Sequence, residues 1–194
     1  YGDHRDLHLS LRRQRQMCIR DRSNKDGIDV TEHGATNGSP IPIEVSESKL
    51  PILFKKSLLW TDSGGAGKWR GGLGYTAEVE WMGGDCYGSF RRDRMKFKPW
   101  GIEGGHSSPL CKTVVMKKNK KYSLPGKVDY PLSHGDVIQI HTTGSGGFGD
   151  PAKRQPELVL QDLLNKKILI LINLIVLTSP YLCLYLQDLF HDQV

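Results

Sequence analysis

Cysteine is scarce in these 194 residues and badly spaced for chemistry: Cys18, Cys86, Cys111 and Cys183 form no CxxC pair and no Cys/His ligand set. That argues against a zinc ribbon or a thioredoxin-like motif, and it fits a reduced, cytoplasmic setting better than a disulfide-stapled secreted one. Residues 1–22 hold no apolar h-region, so no secretory signal peptide is read there. A G-x-S-x-G elbow is absent as well. The central histidines, His33, His106, His134 and His141, show neither HxH nor HExxH spacing, so each is expected to be structural or superficial and no metal site is expected.

Charge is the next shortage. The formal net charge is +6, and half of it comes from the six Arg set against three Asp in the first 22 residues. What remains is only mildly basic, so no nucleic-acid surface is expected. Hydrophobic residues at 38% and charged residues at 25% suit a soluble globular domain. Glycine is what stands out: there are 22, and they cluster. Clustering of that kind means tight turns or backbone that must approach something closely.

Three zones differ in character. Residues 1–25 are polar and Arg-rich without a sustained apolar period, and read as a disordered tail. Their RRQRQMCIRDR string also resembles translated sequencing adaptor. Residues 26–167 carry short alternating apolar runs bounded by Gly and Pro, with strands expected at 41–45, 75–81, 86–91, 112–116, 127–130 and 137–142. Tyr75, Ala77, Val79 and Trp81 share one strand face and Thr76, Glu78 and Glu80 the other, which predicts an antiparallel sheet with one wet side. Asn119, Lys120 and Lys121 read as a turn. Asp150 and Pro151 open the one expected helix, with Leu160, Leu163 and Leu164 inward and Glu157, Gln161 and Asp162 outward. The expectation is therefore an α+β, strand-rich domain with a mostly antiparallel sheet and a C-terminal helix. From 168 to 186 the chain is almost wholly apolar, long enough for a bilayer span but broken by Pro180. A tail-anchor helix, a buried element and a frameshifted read past a contig end all remain open, and membrane attachment is not expected.

The stretch Asp62, Ser63, Gly64, Gly65, Ala66, Gly67, Lys68 invites comparison with a phosphate loop. Asp62 stands where that motif needs its first Gly, and Trp69 where it needs Ser or Thr, so direct nucleotide binding is not expected. Six glycines from Gly64 to Gly74, among them Gly71 and Gly72, still surround Lys68 and Arg70. Exposed amides flanked by two cations suit a polar or anionic ligand, although a structural turn would look the same. Residues 144–149 spell GSGGFG, but the expected helix starts after the last Gly and no βαβ repeat follows, so a tight connection is preferred to a dinucleotide site. Arg92, Asp93 and Arg94 lead to Trp100, which could wall a site for a planar group or simply fill the core.

Taken in order, TNGSPIPIE (36–44), DSGGAGKWRGGLG (62–74), RDRMKFKPWG (92–101), GDVIQI (135–140) and GSGGFGDP (144–151) resemble the C-terminal region of the hydantoinase B/oxoprolinase family. That family includes N-methylhydantoinase B and the acetone carboxylase alpha subunit. The resemblance covers roughly 26–167 and implies a subunit that opens five-membered cyclic amides, such as hydantoins or 5-oxoproline. It further implies ATP consumption, with Mg and a hydantoinase A-like partner subunit or domain, while relatives carboxylate ketones instead. The acidic/His metal region of the family does not occur here, so a divalent metal would sit elsewhere in the complex. No cofactor and no catalytic base can be assigned to this chain, which alone is expected to be inactive. The rival expectation is a non-catalytic β-rich docking domain of a related ATP-dependent ketone carboxylase complex. Substrate-binding candidates are Asp62, Ser63, Gly64, Gly65, Lys68, Arg70, Gly71, Gly72, Arg92, Asp93, Arg94 and Trp100.

Overall fold

In the computed structural model, residues 24–30, 41–118 and 120–169 are described. Seven strands follow one another there: β1 (Ile52–Trp60), β2 (Gly74–Trp81), β3 (Cys86–Arg91), β4 (Lys112–Lys117), β5 (Lys120–Ser123), β6 (Lys127–Leu132) and β7 (Val137–His141). Helix α1 (Ile43–Lys49) precedes them and α2 (Pro156–Leu164) follows, after a 3-10 turn at Pro151–Lys153. Strands β1-β2-β7-β4-β5 form one sheet in that order, and β3 pairs with β6 in a second, every pairing being antiparallel. The strand-rich α+β expectation holds, with two α-helices among the described residues rather than one.

Alternation sets the register. Ala77 faces Ile140 and Val79 faces Ile138 across β2 and β7, and Ile138 in turn faces Val115 of β4. These residues line the inner face of the large sheet. Val115, Leu124 and Leu132 form the buried centre, with Trp81, Phe90, Val128, Tyr130 and Ile138 packed around it, so the β3–β6 pair closes over that face. On the other face Thr76 is buried and Glu78 and Glu80 half-buried, drier than a fully wet side. There the Thr76 hydroxyl and His141 Nδ1 lie 2.9 Å apart, and the Trp60 ring lies 5.1 Å from the imidazole at a tilt of 48°.

The structure departs from the expectations at five places. The strand expected at 41–45 is instead the entry to α1. Pro42 at its N-cap has φ −52, and Glu44 and Lys49 complement the dipole at the two ends. Strand β1 was not foreseen, because its register shifts between Phe54 and Lys56, and this bulge breaks the alternation of ILFKKSLLW. Lys120 and Lys121 extend β5 instead of turning the chain, while Asn119 lies outside the described residues. Asp150 does cap, accepting from Ala152 N at 2.9 Å, but it caps the 3-10 turn, and α2 starts at Pro156. Within α2, Asp162 is buried and Leu164 is 71% exposed, the reverse of the expected facing. Residues 1–23 and 170–194, and with them most of the apolar 168–186 run, lie outside the described residues. Among those described, no helix is long and apolar enough to cross a membrane.

Candidate functional site

Glycine is required where three loops cross. Residues 144–149 run between the Asp62–Gly74 loop on one side and residues 100–106 on the other. A Cβ on Gly71 would overlap the Ser145 carbonyl, one on Gly65 the His106 carbonyl, and one on Gly146 the Trp100 carbonyl. The backbone groups brought together pair with each other: Gly65 N–H donates to Ser145 O at 2.8 Å, Ser145 N–H to Gly72 O at 2.9 Å, and Gly147 N–H to His106 O at 2.9 Å. Trp69 and Phe148 exchange hydrogen bonds at 3.0 Å in both directions. Ser63 is fully buried, and its hydroxyl donates to Trp60 O while accepting from Gly74 N–H. Most amides of the loop therefore already have protein acceptors, and β2 follows it rather than a helix, so it lacks a phosphate-loop geometry.

Arg70 leaves this junction for a buried network of charge. Its Nε donates to Asp162 at 3.1 Å, and its Nη1 donates to Gly71 O at 2.6 Å and to Asp29 at 3.3 Å. Arg154 grips Asp26 in a forked pair at 2.6 and 2.7 Å and reaches Asp162 at 2.6 Å. Lys167 Nζ closes the set on Asp29 at 2.8 Å. Three carboxylates thus alternate with three cations, which is how buried charge is tolerated. Burial would raise the Asp26 carboxyl, but the hydrogen bonds and charge of Arg154, with the Arg70 N–H, outweigh it and hold it below the ordinary carboxylate value. Asp29 is lowered in the same way, burial being overcome by Lys167, the Leu73 N–H and Arg70. Burial also opposes ionisation of Arg154, yet Asp26 and Asp162 keep its pKa above the usual one.

The remaining sequence candidates lie elsewhere. Lys68 is exposed, with Nζ 5.8 Å from the Trp69 ring. Arg94, at φ 59, lays its guanidinium 5.7 Å over the ring of Trp100, which is 53% exposed. Arg92 N–H donates to Gly126 O at 2.5 Å, and Asp93 is exposed. Both candidate segments pack on 144–149, but their side chains do not share one pocket. A cavity of about 200 Å³ is lined by Asp62, Gly64, Gly67, Arg70, His106 and Asp162 among others, and it includes none of Arg92, Arg94 or Trp100. Asp62 has φ 59, and burial lifts its carboxyl above the ordinary value against a hydrogen bond from Leu169. Among the described residues no three His, Cys, Asp or Glu side chains gather to hold a metal ion.

Sequence reasoning missed Asp26, Asp29, Arg154 and Lys167. One signal existed for Asp162: it follows Val159 by three positions, so it shares the buried helix stripe, where a carboxylate demands a partner.

Fold and site define a strand-rich α+β module, held by glycine at one loop junction and tied to helix α2 by buried ion pairs. The family model described as hydantoinase B/oxoprolinase matches residues 21–151, and the chain belongs to that family. An uncharacterized protein of Methanocaldococcus jannaschii is 45% identical over 127 residues, covering 66% of this chain and 22% of the relative. The B component of a putative D-/L-hydantoinase from a Pseudomonas strain is 33% identical over 149 residues, covering 74% and 25%. Among solved structures, nucleotide-free acetone carboxylase superposes with TM-score 0.66 at 19% identity, over 77% of this chain and 24% of that one. An ATP-dependent caprolactamase from Pseudomonas jessenii gives 0.69 at 23%, over 77% and 27%. At such identities the two structures speak for the fold. The chain spans about a quarter of the length of the two curated relatives described.

Proposed function

We propose that this chain is part of a cytoplasmic hydantoinase B/oxoprolinase-type subunit that hydrolyses cyclic amides of the hydantoin or 5-oxoproline type. ATP, with Mg, is consumed on a hydantoinase A-like partner, and any catalytic divalent metal is held outside this region. The observation that carries the reading is the family match across residues 21–151, together with a relative named as the B component of a hydantoinase. In this reading the glycine junction is a rigid wall of the site. Ring opening places negative charge on a ring oxygen, and stabilising it needs donors fixed in advance. Arg92 and Arg94, with Trp100 to cover a ring face, are the side chains this reading assigns to that role, whereas Arg70 acts by holding the loop.

The test uses a complete subunit carrying this region, assayed with its partner for ATP-dependent ring opening. Arg92→Lys and Arg94→Lys keep the charge and remove the fork. A donor aimed at the developing oxyanion is expected to cost roughly 10²–10³ in turnover at unchanged thermal stability. Parent-like turnover in both variants removes them from the site. A second reading, a non-catalytic docking domain of a ketone carboxylase complex, is favoured by the apolar rim Leu53, Leu58 and Leu59 on edge strand β1, each at least 43% exposed. It requires ring-opening activity to be absent and partner binding to weaken when Leu58 and Leu59 become Ser.

A further inference from the structure

The five-stranded sheet has two edges, and they differ in chemistry. At one, β5 is exposed throughout and carries Lys120 and Lys121, with Lys117 of β4 opposite Lys120. Lysine along an edge discourages pairing with further strands. At the other edge, β1 leaves Leu58 and Leu59 exposed. Exposed apolar side chains continue from there onto α1, which buries none of its residues and leaves Val45 and its C-cap Leu50 in solvent. One edge is guarded by charge and the other is not.

Backbone geometry fixes which part of the β1 edge is open. Antiparallel partners alternate between pairs that exchange hydrogen bonds and pairs whose N–H and C=O point away from each other. Tyr75 of β2 spends its backbone on Thr142, its N–H donating to Oγ1 and its carbonyl accepting the Thr142 N–H, both at 2.8 Å. Leu59 lies opposite Tyr75 and Ser57 opposite Ala77, so the N–H and C=O of Leu59 and Ser57 point out of the sheet. The edge is covered on either side of them. Phe54 N–H donates to Glu47 of α1 at 2.7 Å, while Thr61 Oγ1 and Asp62 N–H donate to the Lys166 and Lys167 carbonyls at 3.0 Å. Between these two covers, no strand lies beside 57–59 among the described residues. An open edge that also carries apolar side chains is a template for one more strand.

We propose that residues 57–59 receive a strand from the part of the complete subunit outside this chain, an extended segment with a carboxylate beside Lys56 and apolar side chains beside Leu58 and Leu59. Length supplies the occupant: this chain spans 22% and 25% of two curated relatives, which leaves most of such a subunit to pack against it. Charge supplies the chemistry. Lys55 is paired with Glu80 at 2.6 Å, whereas Lys56 is exposed and has no ion-pair partner among the described residues. A second copy of β1 would not serve, since ILFKKSLLW holds no carboxylate and would add two more lysines. The inference rests on family membership and holds whichever reaction the subunit performs. It departs from the docking reading above, which gives the same rim to a separate protein.

The experiment compares amide hydrogen exchange, read residue by residue, in the full 194-residue chain and in a complete subunit carrying this region, purified without its partner. The Leu58 amide, bonded within the β1–β2 pair opposite Thr76, is the internal reference and is expected to be protected in both. Ser57 and Leu59 are expected to exchange freely in the 194-residue chain and about 100-fold or more slowly in the complete subunit. Lys56→Met is expected to reduce that protection in the complete subunit, and unchanged protection overturns the acidic chemistry assigned to the strand. Leu59→Pro removes an outward N–H and none of the β1–β2 bonds, a place where edge strands accept proline. It is expected to lower the melting temperature of the complete subunit and to leave that of the 194-residue chain unchanged. Should Leu59→Pro not fold, the exchange of the two parent proteins decides. Protection of Ser57 and Leu59 already in the 194-residue chain overturns the proposal, light scattering then telling a second copy from a segment of the same chain. Protection that arises only when the partner is added overturns it in favour of the docking reading, and free exchange throughout overturns both. Ring opening is not read in any of these measurements, so failure of the proposed function and failure of this inference are told apart.

Discussion

Arg70 and Asp162, 92 positions apart, meet at 3.1 Å with side chains no more than 7% exposed, and through them the glycine loop is fastened to helix α2. Asp162 is shared: Arg154 reaches the same carboxylate oxygen at 2.6 Å. A carboxylate held by two guanidinium groups away from water makes each member costly to remove singly.

Arg70→Met is accordingly expected to destabilise the fold by about 3–5 kcal/mol, since it leaves Asp29 and Asp162 with less compensation in a buried setting. Arg91→Met, which breaks the exposed pair with Asp129 at 2.9 Å, is expected to change stability by no more than about 1 kcal/mol. Urea unfolding of both variants checks the contrast, and equal losses would count against a buried role for Arg70.

Acid is expected to loosen the same network. Asp26 and Asp29 have folded pKa values below their ordinary 3.8, so the folded state binds fewer protons than the unfolded chain in that range. Their contribution is complete above the ordinary value and is lost as pH falls through the lowered folded values. A melting temperature that declines below about pH 4 in the parent, and declines less in an Asp26→Asn variant, is the expected result. Parallel curves for the two proteins would show that Asp26 is not the group responsible.

The glycine junction predicts a sharp difference between two glycines. Gly146→Ala forces a Cβ onto the Trp100 carbonyl and is expected to cost about 1–3 kcal/mol or more. At Gly84 nothing lies within 4 Å of the added atom, so Gly84→Ala should leave stability unchanged or raise it by up to ~1 kcal/mol. Thermal melts of the pair are sufficient, and a tolerated Gly146→Ala would show that the crossing loops can move apart.

Limited proteolysis is expected to leave a resistant core near residues 26–167. Asp26 is held by Arg154 and by the Arg70 N–H at 2.8 Å, and Lys167 by Asp29 at 2.8 Å, so both borders are tied into the network. Mass spectrometry of the fragments identifies the borders. Cleavage that runs on through either tie, or a core that survives only with residues 1–25 attached, would contradict the expectation.

Strands β2, β3, β4, β6 and β7 were legible from sequence because alternation and turn residues belong to neighbours along the chain. The family was legible too, since ordered motifs such as DSGGAGKWRGGLG keep their succession whatever the packing. Strand β1 was hidden by its bulge, and α1 by a segment short enough to suit either state. The tertiary structure alone decided that Arg70 turns inward to Asp29 and Asp162, and that Asp162 is buried while Leu164 is exposed. It also separated Arg70 from Arg94 and Trp100, which the sequence allows to share one site. The reason is physical: alternation and turn chemistry depend on residues a few positions apart. Which way a charged side chain faces depends on counter-charges that only folding brings within hydrogen-bonding distance, here 41, 92 and 128 positions away.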